Sequence, residues 1–177
     1  MPGFPEWQGR MLRAVWWDGE QLPQEVVTWM SELYGELGGI PEDEFCASWT
    51  ARTFSMARSA FEVVVRAAER ETGKAATGDE FCYLDYVRDP DLGPVGVVRI
   101  KSSEVSTPDR AGVLGAVADG VQEFMMSHHR VTWPVCGDHG RGLHVGYVHE
   151  TAVWNCTGGA AEGHVVRAID RSHSVFA

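Results

Sequence analysis

Late in the chain the sequence reads Cys136-Gly137-Asp138-His139; sixteen residues separate His139 from Cys156, and seven more separate Cys156 from His164. No other stretch restricts the fold as sharply. A tetrahedral zinc ion wants four nitrogen or sulfur donors, and a two-residue gap lets one tight knuckle supply two of them. Cys136 and His139 have that gap, with Gly137 expected to ease the turn. The run from His139 to Cys156 is long enough for two short strands and a turn, so a hairpin can bring Cys156 back to the knuckle. Leu143–Val148 and Ala152–Cys156 read as those strands, with His149-Glu150-Thr151 as the turn. Gly158-Gly159 breaks the chain, and His164–Ile169 reads as a third strand. The expected ligands are Cys136, His139, Cys156 and His164, and the expected ion is zinc.

On Cys136, His139 and Cys156, with Trp154 in the strand before the third donor, residues 132–172 resemble a zinc ribbon over about one quarter of the chain. The resemblance implies a metal-held β module and no activity. It departs at the fourth position. A ribbon would place a cysteine or histidine about three residues beyond Cys156, where this chain has Thr157-Gly158-Gly159, so His164 must reach the site through a longer loop. A ribbon-shaped hairpin without metal, its cysteines buried as thiols or joined in oxidising buffer, fits the same spacing.

Upstream the period is helical. Trp7, Met11 and Val15 fall on one face of a helix entered at Pro5 and ended at Asp18-Gly19. Val26, Met30, Leu33 and Leu37 form a second stripe before Gly38-Gly39, a usual helix stop. A long helix follows, capped by Asp43 and running to about Glu71, with Trp49, Thr53, Met56, Ala60, Val63 and Ala67 along one face. These two helices are expected to form an αα-hairpin. Residues 73–79 have loop composition. Phe81–Val87 and Val95–Ile100 then read as a β-hairpin around the turn-forming run 88–94. Thr107-Pro108-Asp109 opens a further helix, with Thr107 as cap, Pro108 in the first turn and His128-His129 at its end. The expected architecture is α+β: a helical N-terminal layer at 1–73, a small antiparallel β unit with one long helix at 78–130, and the ribbon-like β module, all in one compact unit.

Charge excludes more than it assigns. The formal net charge is −10, and the acids lie mainly in the first two thirds. No basic run is present to displace counterions from a phosphate backbone, so no nucleic acid is expected; an anionic membrane surface is disfavoured for the same reason. No apolar run approaches the roughly 20 residues that span a bilayer, and Pro2, Pro5, Glu6 and Arg10 interrupt any secretory signal pattern. The expectation is a cytoplasmic protein with reduced thiols, in which Cys46 and Cys82 are core residues.

Phosphate-binding, dinucleotide and nucleophile-elbow motifs are absent, as is H-E-x-x-H. The function expected on these grounds is a non-enzymatic interaction module (adaptor, inhibitor or regulator) that binds another protein with a basic surface. The alternatives are a zinc-dependent hydrolase with an open coordination position, for which Asp138 or Glu150 would be the nearby base, and a structural subunit of a larger assembly.

Overall fold

Four helices and two three-stranded antiparallel sheets make up the described residues, an α+β arrangement as the sequence suggests. The computed structural model describes residues 3–17, 19, 21–76, 84–87, 94–158 and 163–170. The expected strand start at 81–83 with Cys82, most of the turn run 88–94, the loop positions 77–79, Asp18, Gly159 and positions 171–172 lie outside them.

The helical layer forms around aromatic rings. Helix α1 (Phe4–Ala14) buries Trp7 and Met11. It stops at Ala14, short of the expected Asp18, because Trp16 turns into the left-handed region at φ 57° and the Trp17 amide donates back to the Leu12 carbonyl. Helix α2 (Gln24–Leu37) ends at Gly38, in the left-handed conformation that glycine adopts without a Cβ penalty. Helix α3 (Glu42–Thr72) has Pro41 at its cap position with no side-chain cap. Asp43 is therefore not the cap; with Glu42 and Glu44 it lies in the first turn, where acids complement the positive end of the helix dipole. The α2–α3 contacts run in antiparallel order, as in the expected hairpin: Trp29 stacks on Phe45 and meets Trp49, and Glu25 pairs with Arg52. Trp7, Phe45 and Trp49 are almost fully buried here, each worth on the order of 2–3 kcal/mol by removal from water. The indole N–H groups are satisfied too, Trp7 by the Ile40 carbonyl and Trp49 by the Ser106 carbonyl at 2.6 Å.

Further along α3 the buried positions are Ala57, Val64, Val65 and Ala68. The expected stripe through Met56, Ala60, Val63 and Ala67 lags by one position, and Val63 is 43% exposed. A strict seven-residue spacing drifts by about 20° per heptad on a straight helix. Over a helix of 31 residues that moves the true inner face off the extrapolated one.

Strands β1 (Asp85–Val87) and β2 (Val97–Ile100) pair antiparallel, with Val87 opposite Val97. A third strand the sequence reading missed, β3 (Ser103–Val105), turns back through Lys101 at φ 56° and Ser102 to pair with β2. Helix α4 (Arg110–His129) is capped by Asp109, whose Oδ1 accepts from the Gly112 amide at 2.6 Å. Thr107 and Pro108 therefore precede the helix. The end at His128-His129 agrees with the sequence.

Helix α4 is the central post. Val113, Leu114, Val117, Ala118, Val121, Phe124 and Met125 are all buried, so apolar contacts surround much of its circumference. A Cβ at Gly120 would collide with the Ile100 backbone, and one at Gly115 with the Tyr147 ring. The missing side chains let β2 and the C-terminal sheet approach the same helix closely. That sheet is β4 (His144–Val148), β5 (Thr151–Cys156) and β6 (His164–Ala168), in that order and antiparallel throughout. Its inner face, with Ala152, Trp154, Cys156 and nearby Ile169, joins the core of α3, α4 and β2. Among the described residues no helix is long and apolar enough to cross a membrane.

Candidate metal centre

The donor cluster is assembled in two halves. The first is the knuckle. Its base is closed by the Cys136 amide donating to the Arg141 carbonyl, the Leu143 amide donating to the Pro134 carbonyl, and a bridge between Val135 and Gly142. At its tip the Gly140 amide donates to the Cys136 carbonyl at 2.8 Å. The position that needs a glycine is Gly140, at φ +62°, rather than Gly137, whose added Cβ would meet open space. This tight turn places the side chains of Cys136 and His139 on one side of the loop.

A buried glutamine fixes the knuckle to the protein. Gln122, in the middle of α4, donates from Nε2 to the carbonyls of Trp133 at 2.9 Å and Leu143 at 2.7 Å, the two residues at the mouth of the loop. An unpaired buried carbonyl costs about 1–3 kcal/mol, so this contact fixes where the loop leaves the core. The sequence reading passed over Gln122. The available signal was an amide next to Glu123, between Val121 and Phe124, in a helix with apolar residues on most of its sides.

The second half comes from paired strands. Cys156 at the end of β5 lies directly opposite His164 at the start of β6. Directly opposed residues in an antiparallel pair share a face, so pairing alone brings His164 to Cys156. The excursion between them returns at Gly163, at φ +65°, where a Cβ would come within 2.5 Å of the Cys156 carbonyl oxygen. The Gly158 amide donates to the Cys156 sulfur at 3.3 Å.

All four expected residues meet. One donor atom from each of Cys136, His139, Cys156 and His164 lies within 4.8 Å of the others. The His139 Nδ1 atom is 3.5 Å from both sulfurs, and the Cys136 sulfur is 3.7 Å from His164 Nε2. Around a tetrahedral zinc with metal–sulfur bonds near 2.3 Å and metal–nitrogen bonds near 2.0–2.1 Å, sulfur and nitrogen stand about 3.5–3.6 Å apart. The separations fit that spacing. Both sulfurs are buried and both imidazoles reach the surface. This group can hold a metal ion.

The other residues with candidate chemistry lie elsewhere. The Glu150 carboxylate accepts from the Gln24 amide at 3.4 Å, tying the β4–β5 turn to the start of α2 at the far end of the strands from the cluster. Asp138 is exposed in the knuckle and is not part of the donor group. His129 contacts the Ala75 carbonyl at 2.6 Å, and His128 stacks on Phe124, so the pair closes α4 against the end of α3. Cys46 is half-buried and donates to the Ala14 carbonyl.

No protein family, curated protein or solved structure matches this chain.

Proposed function

We propose that Cys136, His139, Cys156 and His164 bind one zinc ion in a closed structural site of zinc-ribbon-like form, and that the protein is a non-enzymatic interaction module. The observation that supports this reading is the placement of His164, which supplies a fourth donor where a hydrolase needs an open position. Two thiolates with two imidazoles form a donor set that zinc favours. Its second pair comes from facing strands rather than from a second knuckle. In this role the ion joins the mouth of β6 to the knuckle, and Gln122 relays that constraint to α4. The acidic surface, with a formal net charge of −10, suits a partner protein with a basic face, and an adaptor, inhibitor or regulator of the cytoplasm is the role proposed.

The test is metal content followed by cobalt exchange. One zinc per chain is expected in protein purified without chelator. The cobalt-substituted protein should show the visible absorption of a four-coordinate site, unchanged by added azide. Loss of metal to below one ion in five chains would overturn the zinc reading, and an azide-sensitive spectrum would return the site to the open, hydrolytic alternative.

A further inference from the structure

Where α3 borders α4 and the C-terminal module run two cavities, of about 350 and 200 Å³, which share Val63 and Asp170 and so form one groove. From Arg52 to Glu71 the groove follows α3 for some 30 Å at the helical rise of 1.5 Å per residue. Its opposite wall is the first turn of α4 at one end and Trp133, Trp154 and Ile169 of the C-terminal module at the other. Small side chains on α3, including Ser59, Ala60 and Ala67, make the room. Val63 stands at the junction, an exposed aliphatic side chain between two depressions.

The charge here is the reverse of the molecule's. Arg52, Arg66, Arg70, Arg110 and Arg167 line the groove against three acids, Glu25, Glu71 and Asp170. With Glu62, the partner of Arg66 just beside the groove, that leaves a local excess of one positive charge in a chain whose formal net charge is −10. Internal ion pairs hold these arginines in place: Arg110 on Asp170, Arg167 and, at 4.0 Å, Arg70 on Glu71, Arg52 on Glu25, and Arg66 on Glu62 beside the groove. A guanidinium carries five N–H donors, and one carboxylate engages at most two of them, so pairing leaves capacity for a second acceptor. Arginine around an apolar strip is also the composition that interface cores favour over lysine.

We propose that this groove docks an acidic amphipathic segment of another protein, with an aliphatic or aromatic anchor packed beside Val63 and carboxylates along the arginines. A helix lying in a groove is a recurrent recognition mode, and its anchors repeat at three- and four-residue intervals. The site stands independently of the metal reading. It gives the molecule a second docking surface, opposite in sign to the acidic exterior, and two such surfaces favour an adaptor over a simple inhibitor.

The experiment selects displayed 16-residue peptides against the full metal-loaded chain, then measures chosen synthetic peptides by fluorescence anisotropy. Enriched peptides should carry Glu or Asp with apolar residues at helical spacing. V63E places a repelling carboxylate at the junction, and R66E reverses a side chain that is 73% exposed. Both sites are open enough for the fold to persist, which circular dichroism checks. Each variant should weaken binding by about tenfold or more, the range of a central contact or a reversed charge. Peptides without acid enrichment, or peptides that bind V63E as tightly as the parent, would overturn the proposal. So would a dimer of the parent chain in light scattering that V63E dissociates, because a second copy would then be the occupant.

Discussion

The aromatic nest at the N-terminal end and the C-terminal sheet have opposite means of support. Around Trp7, Phe45 and Trp49 the rings contact one another at centroid distances of 5.6 and 5.7 Å, and Met11, Val26 and Met30 fill in around them. Apolar area does most of the work there, and it is spread over three helices. The sheet β4–β6 has only one face in the core, and Tyr147, Val148 and Val165 remain exposed. Its position depends on a few polar links: Gln122 on two carbonyls, Glu71 accepting from both the Trp133 indole and Arg167, and the four-donor cluster. A region held by area should lose stability gradually under mutation. A region held by links should fail when one link is cut.

The largest expected effect follows from removing the zinc proposed at this cluster. Structural zinc is worth about 10–16 kcal/mol of apparent binding free energy in small peptides, and at the proposed site it would add to the burial of Trp154 and Ala152. Cys156→Ser, or chelation of the parent, should release the ion and speed amide exchange through β4–β6 by orders of magnitude. Helices α1–α3 should keep their protection. Exchange that rises equally in both regions would show that the contrast in support is false.

Trp49→Ala sharpens the same comparison from the other side. Truncating a buried tryptophan costs about 3–5 kcal/mol, and the Ser106 carbonyl also loses its donor. Thermal unfolding should move down strongly while metal content stays at the parental value. A variant that folds but no longer retains metal would mean that the aromatic nest positions the donors.

The contrast also explains what could be read without coordinates. Regions held by area announce themselves through periodicity: the stripe of α1, that of α2 as far as Leu33, and the stop at Gly38 were visible, although Leu37 at the end of the α2 stripe is exposed. Where a helix is long enough for a seven-residue spacing to drift off its inner face, as in the second half of α3, extrapolating the stripe lagged by a residue. Strand β3 carries no pattern of its own, since Ser103-Glu104-Val105 is too short to alternate, and it exists because β2 and α4 flank it. At the metal centre the identities were legible from residue type and spacing. The reach of His164 was not, because it follows from Cys156 and His164 facing each other across two strands. The roles of Gln122 and Gly163 likewise depend on carbonyls that only the folded chain brings near.

The smallest effect probes the seam where the two regions meet. Asp109 caps α4 between Glu25 of α2 and Glu150 of the β4–β5 turn. Burial raises its carboxyl above the ordinary 3.8; the hydrogen bond from Gly112 opposes this, and the charges of Glu25 and Glu150 add to the rise. The folded protein therefore keeps this proton to higher pH than the unfolded chain does. Between the unfolded and folded values the native state binds more protons, so stability from this group is full below about 3.8 and declines as pH rises through the raised value. Asn caps helices about as well as Asp and carries no charge to desolvate. Asp109→Asn should therefore track the parent near neutral pH to within about 1 kcal/mol, the scale of a cap or dipole contribution. It should lack the parent's decline on leaving the acid range. Denaturant midpoints measured for both proteins from acid to neutral pH decide the matter. Parallel curves would mean that the Asp109 carboxylate is already solvated where the nest and the sheet touch, and that the seam carries no electrostatic strain.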